Sequence, residues 1–237
     1  MTGARPAPSL GARAAARYRA DLIGTGVVMA APVTGWWTTH LASPGHAVAR
    51  GGLAAAVTIT VLAVGAGLFR SRAPRWNPLL MVADALLERR RSLSGPQLAG
   101  HILGQVGAAM AVAGVLVVGC FLAGITPPAV PAPGGVHALS EMTAAAAAVI
   151  CFFAATRTPT LRMSTAGASA LAAAVFLVTG VGFLGNPAVV AGAVVLGLEP
   201  APALVIAVCQ LGGCLVGYGV ATAWWPDIGR RLDTLTA

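Results

Sequence analysis

Long apolar runs separated by short polar stretches dominate the pattern of this chain. Six runs are long enough to cross the roughly 30 Å hydrocarbon core of a bilayer as helices, at about 1.5 Å per residue. Two further runs, Asn77–Leu87 and Asn186–Leu198, are too short to cross and indicate re-entrant half-helices. The six predicted spans are Leu22–Leu41, Gly51–Phe69, Leu98–Gly124, Ala138–Ala155, Ser164–Leu184 and Ala201–Trp225.

The composition excludes a soluble globular domain. Only 9% of the 237 residues are charged and 57% are hydrophobic, with a mean hydropathy of +0.81. Soluble domains carry about 25% charged residues. The 30 glycines favour close packing of membrane helices. The sequence therefore predicts an all-α integral membrane protein of the cell membrane, with the lipid bilayer as a partner.

The 15 basic residues, all of them arginine, predict a topology and no nucleic-acid partner. With both termini in the cytoplasm, only Arg50 lies on the outer side, which is a strong positive-inside bias. The bias requires that Asn77–Leu87 does not cross, because the arginines on both sides of it must share one face. The predicted organisation is a cytoplasmic tail (1–19), one membrane domain (20–226) and a second cytoplasmic tail (227–237). The membrane domain divides into halves 20–125 and 138–226, joined by a proline-rich external linker, 126–137.

The two halves of the membrane domain carry matching residues in the same order. Gln105-Val-Gly-Ala in the third predicted span matches Gln210-Leu-Gly-Gly in the sixth. An acid lies near the start of the first span of each half, Asp21 in one and Glu141 in the other. Three spans per half give the halves opposite orientations, so the pattern predicts an inverted 3+3 repeat.

The only two asparagines of the chain, Asn77 and Asn186, each begin a short apolar run and precede a proline. Asparagine is a favoured N-cap and proline a favoured first helical residue, so each asparagine is predicted to cap a half-helix. From Asn77 to Arg89 and from Asn186 to Glu199 a helix extends about 18–20 Å. We therefore expect the two helix starts to face each other in the middle of the membrane, with their positive dipole ends together.

Taken together, these features resemble the aquaporin (major intrinsic protein) family over about residues 18 to 226. Asn186-Pro187-Ala188 matches the family's Asn-Pro-Ala motif, and Asn77-Pro78-Leu79 is a variant of its first copy. Further matches lie in the first, third and fourth predicted spans, at Asp21-Leu-Ile-Gly-Thr25, at Gln105 with Gly107, and at Glu141.

The resemblance implies six transmembrane helices, two half-helices and a passive channel for water or small uncharged solutes. It also implies a homotetramer with one pore per subunit. The sequence itself contains no nucleophile–base motif, no Walker loop and no paired carboxylates in one half, so we expect neither enzymatic activity nor a cofactor. Asp21 and Glu141 are then structural acids that accept hydrogen bonds from re-entrant backbone. The pore midplane is assigned to Asn77, Pro78, Leu79, Asn186, Pro187 and Ala188.

Two positions depart from the family pattern. Val189 stands where the family usually has the arginine of its selectivity filter, and the resemblance places the other filter residues at Val57, Ala174 and Phe183. None of the four has a charge or a hydroxyl, which predicts a wide apolar outer constriction. Arg75 replaces a histidine that the family commonly has two residues before the first Asn. It either lines the inner mouth of the pore or extends to the cytoplasmic surface with its neighbouring arginines.

Two other functions stay open at this point. A secondary transporter requires titratable groups within the membrane, for which the sequence offers Asp21, Glu141 and Arg75. A non-conducting scaffold on the same fold is suggested by Val189 and Leu79. No metal site is expected, because neither the four cysteines nor the four histidines have the spacing of metal ligands. Two pairs with small-xxx-small spacing, Gly100/Gly104 and Gly213/Gly217, predict close helix contacts.

Overall fold

The computed structural model describes residues 10–42, 52–61, 64, 76–87, 94–126, 130, 134–157 and 183–225. This part of the chain contains seven α-helices and no strand. The helices are α1 (Leu10–Ala42), α2 (Gly52–Val61), α3 (Pro78–Leu87), α4 (Gly95–Leu122), α5 (Gly135–Arg157), α6 (Pro187–Val195) and α7 (Pro200–Trp224).

Three of these helices are long and apolar enough to cross a membrane. The apolar segments are Gly95–Leu122 in α4, Gly135–Ala154 in α5 and Pro200–Trp224 in α7. Helix α1 has 33 residues but is not among them, because threonine, glycine and tryptophan are frequent in its second half. The described chain is thus the all-helical, membrane-embedded kind of protein that its composition predicts.

Several helix ends differ from the predicted ones. Helix α1 begins at Leu10, inside the segment assigned to the cytoplasmic tail, because arginine limits membrane depth but is a good helix former. Helix α5 begins at Gly135, three residues before the predicted span, so His137 lies in its first turn. Most of the predicted span Ser164–Leu184 lies outside the described residues, and its last two residues form a turn instead of a helix.

The two short helices, α3 and α6, lie among the long ones. Helix α6 packs against α1, α4 and α7, and α3 packs against α4, α5 and α7. The two short helices also contact each other, while α1 pairs with α4 and α5 pairs with α7. One buried apolar cluster includes Met29, Ala109 and Val190, and a second one includes Leu79 and Phe153. Each short helix therefore contributes to a core of its own.

Glycine allows the close approach of α5 and α7. A Cβ at Gly213 would collide with the carbonyl oxygen of Met142, and one at Gly217 would lie 2.5 Å from the carbonyl oxygen of Ala146. The predicted contact at this glycine pair is confirmed. The other pair is only half right, since Gly104 lies against the Tyr18 hydroxyl whereas Gly100 has no described neighbour within 4 Å of its Cβ position.

Candidate functional site where the two half-helices meet

Helices α3 and α6 begin with the same local structure. The side-chain oxygen Oδ1 of Asn77 accepts the N–H of Leu79 at 2.9 Å, and that of Asn186 accepts the N–H of Ala188 at 3.0 Å. The residue between, Pro78 or Pro187, has no N–H to satisfy. Both predicted caps are confirmed, and each leaves the side-chain amide nitrogen directed away from its own helix.

That amide nitrogen binds the loop of the other half. Nδ2 of Asn77 donates to the carbonyl of Gly185 at 2.9 Å, and Nδ2 of Asn186 donates to the carbonyl of Trp76 at 3.0 Å. Each acceptor is the residue immediately before the other asparagine. Each cap therefore ties its own helix to the start of the other one, and the two positive helix ends lie together.

Glu141 supports the loop that precedes Asn186. Its two carboxylate oxygens accept the backbone N–H groups of Phe183 at 2.6 Å and of Gly185 at 2.9 Å. Oε2 also accepts Nε2 of Gln210 at 2.8 Å, so helices α5 and α7 and this loop share one buried carboxylate. Because a buried carboxylate needs several donors, these three bonds satisfy it and fix the loop.

The loop itself is a tight turn. The N–H of Asn186 donates to the carbonyl of Phe183 at 3.1 Å, across the two central residues Leu184 and Gly185. Both central residues have φ of 59°, the left-handed region that glycine tolerates and leucine rarely adopts. The strain at Leu184 is held by the Glu141 hydrogen bonds on either side of it.

The first half has its own support on α1. The Thr25 hydroxyl donates to the carbonyl of Asp21 at 2.8 Å and lies 3.3 Å from the carbonyl of Trp76, the same oxygen that Asn186 binds. Gly24 packs directly on the Trp76 ring, where a Cβ would overlap the indole. Asp21 itself is buried and has a bonding partner. Thus Gly24 and Thr25, within one turn of Asp21 on α1, contact the residue that precedes Asn77.

The structure places the predicted filter residues only in part. Phe183 and Val189 are buried in one apolar cluster that includes Leu196, and Val57 on α2 is half-buried. Ala174 and Arg75 lie outside the described residues. Of the four predicted filter residues, the two that are buried therefore belong to the apolar core.

Two buried polar residues were missed by the sequence analysis. Asp84 lies buried on α3 and has an interaction partner, so it joins Asp21 and Glu141 as a carboxylate within the helical core. The available signal was that Asp84 is the only acid within Asn77–Leu87. The second residue is His137, the last residue of the predicted linker segment 126–137, which lies buried in the first turn of α5.

Within the described residues no group of three or more histidine, cysteine or acidic side chains is placed to hold a metal ion. The site is built from amide, carboxylate and backbone groups around two helix ends. Such a site can orient neutral hydrogen-bonding molecules and disfavours cations. In comparisons with known proteins, no family model and no curated protein matches the chain.

Proposed function

We propose that this protein is a passive channel for water and small uncharged solutes, with an aquaporin-like fold of six spans and two half-helices. The observation that carries the proposal is the reciprocal pair of hydrogen bonds from Asn77 to Gly185 and from Asn186 to Trp76. These bonds join two half-helices by their N-terminal ends. The polar ends then meet inside an otherwise apolar protein. Polar groups at membrane depth are energetically costly, and they typically mark a functional site.

An inverted repeat of two three-span halves is supported by the helix contacts. Exchange of α1 with α5, of α3 with α6 and of α4 with α7 turns every packed helix pair into an observed pair, and the pair α3–α6 into itself. The pair α1–α4 becomes α5–α7, α4–α6 becomes α7–α3, and α1–α6 becomes α5–α3. In an inverted repeat the two equivalent loops enter the membrane from opposite faces.

The lengths of the half-helices support a site at the bilayer midplane. Helix α3 has 10 residues and α6 has 9, which corresponds to about 15 and 14 Å, or half of the hydrocarbon core each. Non-helical backbone at such depth must be bound by protein or water. The hydrogen bonds of Glu141, Thr25 and the two asparagines meet this requirement.

Transport follows from the donors that remain at the midplane. Each asparagine amide has two N–H groups and one of them is held by a carbonyl, so we assign the other to the passing molecule. The positive ends of α3 and α6 repel cations there. The apolar constriction at Val57, Ala174, Phe183 and Val189 admits solutes larger than water. A homotetramer with cytoplasmic termini completes the proposal.

Light scattering of proteoliposomes tests this function. Under a sucrose gradient we expect shrinkage much faster than that of empty liposomes and with a low activation energy. Under glycerol or urea gradients we expect re-swelling after the shrinkage. Val189→Phe is expected to block both fluxes, because the larger ring fills the constriction.

Val195→Phe is the matched control, since it makes the same change on a partly exposed residue at the other end of α6. Both variants must keep the wild-type elution volume and melting temperature. Flux equal to that of empty liposomes in the wild type overturns the channel and favours a scaffold. Flux that depends on a proton gradient favours a transporter that uses the buried carboxylates of Asp21, Asp84 and Glu141.

A further inference from the structure

His137 is the first buried side chain of α5. Only 9% of it is exposed, whereas its neighbours Val136 and Leu139 are 80% and 59% exposed. Residues four apart share one face of a helix, so His137 lies on the same side of α5 as Glu141, one turn closer to the start of the helix. That side of α5 is the one that binds the turn before Asn186.

Phe183 connects the two residues. Its backbone N–H is held by Glu141, and its ring lies 5.7 Å from the imidazole of His137, centroid to centroid, at 49°. Phe183 is one of the four residues assigned to the outer constriction. The histidine therefore lies beside the constriction, at the end of α5 that the proposed topology places outside.

The imidazole has an unused polar atom at this place. Nε2 of His137 is buried and has no hydrogen-bond partner in the described part of the chain. Most buried polar atoms in proteins are paired, and an unpaired one requires an explanation. A neutral imidazole offers one donor and one acceptor, so Nε2 can pair with either a hydroxyl or an amide.

We propose that His137 lines the outer mouth of the permeation path, and that its Nε2 and the Phe183 ring together bind a small neutral solute that carries hydroxyl or amide groups. The nitrogen pairs with a polar group of the solute, and the ring contacts its carbon skeleton. This inference rests on the proposed channel function. It adds a polar recognition site to a constriction whose other assigned residues, Val57, Ala174 and Val189, have no hydrogen-bonding side chain.

Chemical labelling tests the accessibility of this position without relying on flux. In His137→Cys, made in the full chain and placed in proteoliposomes, we expect a small membrane-impermeant methanethiosulfonate to modify the introduced thiol from outside. Tandem mass spectrometry, which locates the modified residue within a peptide, separates labelling at position 137 from labelling of the four native cysteines. Glycerol and urea are expected to slow the labelling. Val149→Cys, fully buried three turns further along α5, is the control and is expected to stay unmodified.

Substitution of the same residue tests the hydrogen bond. His137→Leu introduces an apolar side chain of similar size that has no hydrogen-bonding atom. We expect it to lower glycerol and urea permeability about fivefold, which corresponds to the loss of one hydrogen bond. His137→Gln retains donor and acceptor atoms and is expected to stay within about twofold of the wild type.

The outcomes separate this inference from the channel proposal. An unreactive thiol at position 137 in a protein with wild-type melting temperature overturns the inference. Where the wild type transports glycerol, equal glycerol permeability of His137→Leu and the wild type overturns it as well. Labelling that glycerol slows, in a protein that transports nothing, supports the solute site and overturns the channel. Labelling, protection and a selective loss of solute flux in His137→Leu support both.

Discussion

At the scale of single residues, the turn before Asn186 depends on backbone conformations that few side chains allow. Leu184 and Gly185 both have positive φ, and Gly185 also lies against the backbone of α5. A Cβ at Gly185 would lie 2.6 Å from the backbone nitrogen of Ala145. The carbonyl of Gly185 is the acceptor for Asn77, so a shift of this residue moves the other half-helix as well.

Gly185→Ala is therefore expected to lower the melting temperature strongly. Gly124→Ala is the matched control, because Gly124 has a φ of 67° but no atom of the described residues within 4 Å of its Cβ position. The control isolates the conformational cost of about 1–2 kcal/mol, and the difference between the variants measures the collision with α5. Thermal unfolding in detergent gives both values. Equal melting temperatures of the two variants would show that α5 can move away from the loop.

At the scale of helices, each half-helix is anchored by the other. The side-chain oxygen of each capping asparagine binds its own helix, and the side-chain nitrogen binds the loop before the other asparagine. A substitution that keeps the oxygen and removes the nitrogen therefore tests the second bond alone. In Asn77→Asp the oxygen that accepts the Leu79 N–H is kept, but the donor to the Gly185 carbonyl is replaced by an oxygen.

Asn77→Asp is expected to lower stability by at least about 1–3 kcal/mol, the cost of an unsatisfied buried group, because an ionised carboxylate costs more than a neutral group. Ser94→Asp is the control, since Ser94 is the exposed N-cap of α4 and aspartate is an equally good cap. The measurement is the melting temperature of both variants in the same detergent. A wild-type melting temperature for Asn77→Asp is incompatible with a structural role of the bond to Gly185.

The contact between α5 and α7 can be tested by comparing substitutions at two adjacent glycines of α7. Gly213→Ala is expected to destabilise the protein, because the added methyl group meets the Met142 carbonyl, which is backbone and cannot turn away. Gly212→Ala changes the neighbouring residue, whose Cβ position has no described atom within 4 Å. It is expected to be neutral or slightly stabilising, since alanine is the better helix former. The measurement is the melting temperature of each variant. A neutral Gly213→Ala would contradict the close contact of these helices.

At the scale of the whole molecule, the outer surface is as informative as the core. Large apolar side chains are exposed along α4 and α7, and no described element covers them. They include Leu103, Val115, Val118, Phe121, Leu122, Leu204, Val205, Val208, Leu215 and Val216. An apolar surface of this extent along helices of 28 and 25 residues is typical of contact with lipid chains or with other subunits in the membrane.

Depth within this surface is expected to set the effect of a charge. Val115 and Leu122 have similar exposure, 71% and 79%, but Leu122 is the last residue of α4 and Val115 lies two turns before it. Val115→Arg is expected to reduce membrane insertion, at a cost that approaches about 3 kcal/mol at the bilayer centre. Arginine at position 122 reaches the interface and is expected to be tolerated. Membrane-fraction yield of the two variants measures the difference, and equal yields would argue against a lipid-facing Val115.

Local features of the sequence were enough to predict the membrane class, the two short helices and their caps. A cap needs only an asparagine, a proline and the next N–H, all within three residues, and hydropathy acts residue by residue. The contact at Gly213 and Gly217 was also predictable, since four residues form one helical turn. Helix ends were predicted less well, as the starts of α1 and α5 show. Hydropathy marks only the apolar part of a helix, and the helix can continue into the polar residues next to it.

Contacts between distant parts of the chain lay beyond such local rules. The acceptors of Asn77 and Asn186 are 108 and 110 residues away, and Glu141 binds a loop 42 and 44 residues further along. Burial of Asp84 and His137 likewise depends on which helix face meets which neighbour. Hydropathy and capping are properties of a few adjacent residues, whereas the pairing of two half-helices and the place of His137 beside Phe183 exist only once the helices have packed.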